Sequence, residues 1–399
     1  MKKFVDVSKS VKWVGIIDQD LTKFHGEELD IPHGTSFNSY LIRDEKTVLV
    51  DTVIEKFSTQ WIEQLKEEID LNTIDYIVMN HNEPDHSGSL SALMKEIPNT
   101  PIYCTDKGVE IIKAYHKIDA EFRVVKTGDV LDLGKKKLTF VEMKMLHWPD
   151  SMASYLNEEN ILFSNDAFGQ HYGANGLFND ECDQDILNYE SLKYYACILA
   201  PFSPLIKRKI DEILGLNLTI DQICTSHGVI WRKNPLQIVE KYMKWCDNYK
   251  EDQIVITYDT MWESTKKMAE SIADGIRNIS PSTHILLINS AKHSESEVLT
   301  EIFKSKGVLF GSPTINNRIL PSMAALLEGV KGLGFKDKST AAFGSYGWNA
   351  KNLDVINESL RFTSLKVVNE GIKVNWNLNR ESRELCYEFG QEFASSLTD

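Results

Sequence analysis

The hexapeptide His81-Asn82-Glu83-Pro84-Asp85-His86 holds two imidazoles and two carboxylates. That set can bind a metal ion, because neutral imidazole and carboxylate oxygen are both good donors and a loop can fold several side chains onto one point. It follows residues 74–80, which read as a buried strand, and precedes residues 87–96, which read as a helix capped by Ser87. Three more candidates share that address: His147 after the strand expected over 138–146, Asp166 after 161–165, and His227 after 222–226. So many ionisable groups beside buried strands would be costly without partners. If the strand ends meet on one edge, four histidines and three carboxylates suffice for two metal ions with one carboxylate between them.

A second chemistry lies further along. After "IVITYD" the chain reads "TMWEST", in which Thr260, Ser264 and Thr265 place hydroxyls and backbone N–H groups at a helix N-terminus, an arrangement that binds phosphate. The loops "GSPTINNR" (311–318) and "GSYGW" (344–348) allow close approach to a ligand, and Tyr346 and Trp348 offer surfaces for a flat ring. There is no G-x-G-x-x-G, so a Rossmann fingerprint for NAD is not supported.

The elements that must position these groups fall into two rhythms. Five strands, 254–259, 284–289, 307–312, 339–347 and 365–374, are each followed by a helix, at 265–277, 295–305, 321–331, 350–361 and 380–396. This alternation predicts a doubly wound parallel sheet with ligand loops at the strand C-termini. The N-terminal part mixes short strands, among them 39–43, 47–51 and 153–157, with helices at 58–68, 185–199 and 236–247, which predicts two sheets packed face to face under outer helices. The polar residues 247–253 separate the rhythms, so the expected domains are 1–249 and 250–399.

Composition excludes several function classes. The 399-residue chain carries a net charge of −14, which repels nucleic acid and acidic membranes. No apolar run is long enough to span a bilayer, and charged residues interrupt the N-terminus where a signal peptide needs an apolar core, so a cytoplasmic protein is expected. Six scattered cysteines without a C-x-x-C pair argue against a zinc ribbon, a rubredoxin-type iron site or a disulfide framework. His33, His116, His284 and His293 are read as surface residues.

H-x-E-x-D-H followed by His147, Asp166 and His227 resembles the metallo-β-lactamase fold, an αββα sandwich. Most hydrolases of that fold carry H-x-H-x-D-H and bind zinc; here Glu83 replaces the second histidine. A carboxylate adds negative charge and a hard oxygen donor, which suits iron. The C-terminal loops resemble those of flavodoxin, although Met261-Trp262-Glu263 stand where small residues are usual. That resemblance implies FMN contacts from Thr260, Met261, Trp262, Glu263, Ser264, Thr265, Pro313, Thr314, Ile315, Asn316, Asn317, Ser345, Tyr346, Gly347 and Trp348.

The two signatures in this order resemble the flavodiiron proteins across essentially the whole chain. The resemblance implies an oxidoreductase that passes electrons through FMN to two non-haem irons and reduces dioxygen to water, nitric oxide to nitrous oxide, or both, for detoxification in an anaerobe. It also implies His81, Glu83 and His147 on one iron, Asp85, His86 and His227 on the other, and Asp166 bridging. A head-to-tail homodimer, or a tetramer built from it, is implied as well, with Trp148 near the partner's flavin. The implied donor is a separate reduced rubredoxin or another low-potential carrier such as a reduced deazaflavin. His25, His171 and Tyr195 are candidates to hydrogen-bond the substrate or supply protons. Two rivals are a dizinc hydrolase with an accessory flavodoxin domain and a non-enzymatic FMN electron carrier.

Overall fold

Leu138 and Phe140 point inward from residues 137–142 while Lys137 is exposed, the alternation of a half-buried strand. In the computed structural model, which describes residues 4–216 and 218–397, such strands build two sheets. The larger runs in chain order through β1 (Val5–Asp6), β2 (Val11–Trp13), β3 (Tyr40–Arg43), β4 (Thr47–Val50), β5 (Tyr76–Val78), β6 (Ile102–Cys104) and β7 (Phe122–Val124). Its pairing is antiparallel up to β4 and parallel beyond. The second comprises β8 (Val130–Asp132), β9 (Lys137–Glu142), β10 (Met152–Leu156), β11 (Ile161–Asn165) and β12 (Gln222–Thr225), antiparallel until the parallel β11–β12 pair.

The sheets pack face to face. Tyr40, Ile42, Val48, Val50 and Val78 share one apolar cluster with Leu138, Phe140, Met152, Leu156 and Phe163, and the Tyr40 hydroxyl donates to the Thr225 carbonyl at 2.6 Å. Leu41, Leu49 and Ile77 point the other way and are fully buried too, so the larger sheet is covered on both faces. The helix Ser58–Glu68 buries Trp61, Ile62 and Leu65, and Trp61 Nε1 donates to the Val14 carbonyl at 2.6 Å.

Local details depart from expectation where candidate ligands sit. β5 ends at Val78, and Pro84–Ser87 form one helical turn that carries Asp85 and His86. Ser87 does not cap the next helix, Leu90–Glu96: its hydroxyl turns back to the carbonyls of Asn82 (2.9 Å) and Glu83 (3.0 Å). β9 stops at Glu142, four residues early, because Met143 N donates to Ser151 O and Leu146 N to Met143 O, folding the chain back. His147 therefore sits in a turn. The expected helix 185–199 is an α-helix, Gln184–Tyr194, that widens into a π-helical turn, Tyr195–Leu199.

A separate unit carries β13 (Gln253–Tyr258), β14 (His284–Asn289), β15 (Gly307–Gly311) and β16 (Ser339–Tyr346), ordered β14-β13-β15-β16 and all parallel. The expected fifth strand is split into β17 (Lys366–Val367) and β18 (Ile372–Asn375), both parallel to β16. The helices Ser264–Ile279 and Arg380–Ser395 bury Met268, Ile272, Ile276, Phe389 and Phe393 in the same core as Ile254 and Ile256. By contacts the first unit comprises the chain up to Phe24, Ile31–Tyr194 and Phe202–Met243, whereas His25–Asp30 and Tyr195–Pro201 group with the chain from Lys244 onward. Among the described residues no helix is long and apolar enough to cross a membrane.

Candidate metal centre and flavin site

The β5 loop, the turn after β9 and the ends of β11 and β12 bring all seven expected metal residues together in two groups. His81, Glu83, His147 and Asp166 form one and Asp85, His86 and His227 the other, with the donor atoms of each within 4.8 Å of one another. In the first, His81 Nε2 lies 3.3 Å from Glu83 Oε2 and 3.7 Å from Asp166 Oδ2. His147 Nε2 lies 3.5 and 3.9 Å from the same two atoms. In the second, Asp85 Oδ2 is 3.3 Å from His86 Nε2 and 3.0 Å from His227 Nε2. Asp166 Oδ1 is 3.1 and 3.6 Å from those two nitrogens. Asp166 thus turns one oxygen to each group.

The imidazoles are aimed by bonds on their far sides. His81 Nδ1 faces Asp150 Oδ1 at 3.1 Å, and His227 Nδ1 faces the Ser36 carbonyl at 2.7 Å. Each leaves Nε2 pointing into the cluster, the usual way a protein fixes a metal-binding tautomer. Asp150 Oδ2 in turn accepts from Asn82 N (2.8 Å) and Nδ2 (2.9 Å), and Ser226 Oγ donates to Asp166 Oδ1 at 2.7 Å. Asp150 carried a usable signal, a carboxylate three residues after His147; Ser36 and Ser226 carried none.

These residues fit metal ions. Among the described residues, Asp85 Oδ1 is buried without a hydrogen-bond partner, a costly state for a polar atom unless a cation takes up its lone pair. Burial opposes charge on His86, yet the Asp166 and Asp85 carboxylates push it up to about 9. Burial also opposes charge on His81, and Asp150 and Glu83 still hold it well above the ordinary imidazole range. Burial raises Asp85 and Asp166, but neighbouring imidazolium groups hold Asp85 down at about 2 and Asp166 well below the carboxylate range. The carboxylates therefore draw positive charge into a closed site; bound metal ions would supply it in place of protons. A set of imidazoles and carboxylates without thiolate suits iron.

His171 stands beside the cluster: its Nδ1 is 2.9 Å from Thr35 Oγ1, and its ring is 4.9 Å from that of His227. The tyrosine that reaches this place is Tyr194, with its ring 5.1 Å from His171 and 6.4 Å from His227. Tyr195 is buried in the other unit, its ring 5.4 Å from Trp245 and 5.8 Å from Phe303. His25 is exposed at φ 50° in a segment of that unit. Trp148 lies edge-on to His81 at 5.2 Å. His116, expected at the surface, is half-buried with Nε2 2.8 Å from Ser87 Oγ, and burial lowers its pKa.

In the second unit, a cavity of about 370 Å³ opens at the C-terminal ends of β13, β15 and β16. Of the expected flavin residues, Met261, Trp262, Ser264, Pro313, Thr314, Ser345, Tyr346, Gly347 and Trp348 line it. Thr260, Glu263, Ile315, Asn316 and Asn317 lie in the same loops, and Thr265 in the first turn of the helix Ser264–Ile279, but none of them is on its wall. Thr265 Oγ1 meets Ser345 Oγ at 2.9 Å, whereas Glu263 turns outward to Lys266. The helix Ser264–Ile279 begins after Glu263, at φ 64°, with no side chain closing its first turn. Thr260 Oγ1 is buried without a partner among the described residues. An open helix N-terminus and an unsatisfied hydroxyl beside an aromatic-walled cavity fit a phosphate-bearing flat cofactor. Trp376 and Asn377 also line the cavity and were not expected to.

Comparison with known proteins agrees with this geometry. Residues 35–228 match the ODP family beta lactamase model and residues 256–390 the flavodoxin model. The anaerobic nitric oxide reductase flavorubredoxin of Vibrio vulnificus is 50% identical over 392 residues, 98% of this chain and 79% of that protein. The Escherichia coli flavorubredoxin is 49% identical over 390 residues, 97% of this chain and 81% of that one. Among solved structures, rubredoxin oxygen:oxidoreductase from the anaerobe Desulfovibrio gigas superposes with a TM-score of 0.95 at 34% identity, over 99% of both chains. The flavodiiron protein from Giardia intestinalis gives 0.94 at 32% identity, over 100% of this chain and 97% of that one.

Proposed function

Because the chain belongs to the flavodiiron protein family, we propose that it is an oxidoreductase that carries electrons through FMN to a non-haem diiron site and reduces dioxygen to water, nitric oxide to nitrous oxide, or both. The observation that carries this reading is Asp166, with one carboxylate oxygen toward each donor group. His81, Glu83 and His147 would hold one iron, Asp85, His86 and His227 the other, and Asp166 would join them. When bound, FMN supplies single-electron steps and the irons supply reducing electrons and open positions for a diatomic gas.

The chain's own residues prepare that chemistry. Asp150 and the Ser36 carbonyl hold Nδ1 of His81 and His227, so Nε2 is the donor in both rings. The rings of Phe24 and Phe37 pack edge-on against that of His227, at 5.6 and 5.8 Å, and give this side of the site an apolar wall. Both reactions consume as many protons as electrons, so a proton must be held close by. Burial and the nearby Asp166 raise the Tyr194 phenol well above its ordinary value, and it keeps its proton beside His171 until a stronger base appears. The rings around Tyr195 support packing, and His25 enters the proposal as a sequence candidate.

The names of the relatives support a rubredoxin-type donor. A head-to-tail dimer is proposed from the family, and the exposed Trp262 at the flavin cavity supports a surface that another chain covers. Six free thiols support a reducing compartment such as the cytoplasm. The test is anaerobic mixing of chemically reduced protein, with iron and FMN quantified, against each gas separately. Gas consumption with water or nitrous oxide as product is expected. Two zinc ions and no iron from iron-replete cells would favour the hydrolase; flavin reoxidation without gas consumption would favour the electron carrier.

A further inference from the structure

Trp376 follows β18 in the left-handed region, at φ 56°. A bulky aromatic residue rarely adopts that conformation, and such strain persists only where surrounding structure enforces it. Here the enforcement is visible. Trp376 N donates to the Tyr346 carbonyl at 2.7 Å, and Ser264 Oγ donates to the Trp376 carbonyl at 2.6 Å. Asn375 Nδ2 donates to the carbonyls of Tyr346 and Gly347. One residue thereby ties the loop that would flank a flavin ring to the helix start that would take its phosphate.

The side chain is placed as deliberately as the backbone. It lines the cavity, lies 6.1 Å from the Trp348 ring at 50°, and covers Gly347 so closely that a Cβ there would stand 3.0 Å from the indole. Yet Trp376 is 62% exposed and Trp348 91% exposed. Two large rings with open faces at a cavity mouth are surfaces suited to a flat aromatic ligand.

We propose that Trp376 is a further flavin-contacting residue, stacking on or edging the ring system while its backbone fixes the spacing between ring loop and phosphate helix. This rests on the FMN reading above. The test uses full-length protein freed of flavin, titrated with FMN and with riboflavin by fluorescence quenching, for wild type, Trp376→Phe, Trp376→Ala and Trp376→Gly. Stacking of a planar ring on an aromatic side chain typically contributes about tenfold or more in affinity. Trp376→Gly, which keeps the left-handed backbone, should weaken both ligands by at least about tenfold, with Trp376→Phe restoring most of it.

Equal affinity of wild type and Trp376→Gly for both ligands overturns the proposal. So does a loss confined to FMN, because that would mean Trp376 acts only through Ser264 on the phosphate. Weakening by Trp376→Ala but not by Trp376→Gly would assign the effect to the backbone and also overturn it. Failure of the wild-type protein to bind FMN would instead remove the reading on which the proposal stands. Near-ultraviolet circular dichroism of each flavin-free variant separates misfolding from loss of contact.

Discussion

Replacing Asp150 with asparagine changes one oxygen to an amide nitrogen and nothing in size. Asp150 is buried and its two oxygens serve three donors: His81 Nδ1 at 3.1 Å, and Asn82 N and Nδ2 at 2.8 and 2.9 Å. An amide has one acceptor oxygen, so one side must now face a nitrogen. If the new NH₂ faces His81, the imidazole proton must move to Nε2, the atom aimed at Glu83 and Asp166, and the ring ceases to be a ligand. If instead the oxygen stays toward His81, the NH₂ faces Asn82. The Asn82 side chain can flip, since its Oδ1 has no hydrogen-bond partner among the described residues, but its backbone N–H cannot. The second arrangement leaves one buried donor unsatisfied, at about 1–3 kcal/mol of stability. It also replaces a charged partner of His81 by a neutral one, and loss of such a partner typically weakens metal affinity about 10- to 100-fold, or about 1.4–2.7 kcal/mol. Chelator competition gives the iron affinity, and guanidinium melts of metal-free protein give the stability. Both should fall while FMN content stays unchanged. Wild-type iron affinity in a destabilised Asp150→Asn protein would refute the argument, since Asp150 would then hold the loop without orienting His81.

Further outcomes follow from charge. His86 stands at about 9 in the metal-free site, so at pH 7 iron must displace its proton, and iron affinity should rise with pH toward 9. Titration calorimetry in two buffers of different ionisation enthalpy reads that proton; identical heats would refute it. In the second unit, buried Lys338 donates to the carbonyls of Phe303 (2.7 Å), Ser305 (2.8 Å) and Tyr249 (3.1 Å). Below about pH 7, where the ammonium keeps all three N–H groups, Lys338→Met should cost at least about 2 kcal/mol by orphaning these acceptors, as measured by denaturant melts at about pH 6. Burial, with Lys250 nearby, pushes Lys338 from 10.5 down to about 7. Between those values the unfolded chain binds a proton that the folded chain does not, so stability rises with pH across the window. The Met variant should lose that rise.

The proposed metal residues were legible because each was expected at or just beyond a strand, where a short stretch of sequence reveals both the element and the donor. Of what aims them, only Asp150 carried a local signal. Ser36 and His227 meet across 191 residues, and no local pattern encodes a pairing so remote. Tyr194 against Tyr195 is a subtler case. The sequence pointed to Tyr195, but the helix ends at Tyr194 and passes into a π-helical turn at Tyr195. Adjacent residues on a helix point about 100° apart, which is enough to send one ring to His171 and the other to Phe303. Trp376 escaped notice because the fifth strand reads as continuous; the break between β17 and β18 places its end beside the loop at Tyr346.

The grouping of His25–Asp30 and Tyr195–Pro201 with the chain beyond Lys244 bears on how such a protein can be taken apart or recombined. A gene cut near codon 249 looks like a clean separation of two modules, but it strands two pieces of the second with the first. The shortened flavodoxin-like product would lack the ring of Tyr195 over Phe303, the Ser296 hydroxyl would lose the Asp30 N–H, and the Cys197 thiol would no longer meet the Ser296 carbonyl. Exchange of this half between relatives is therefore a three-segment graft.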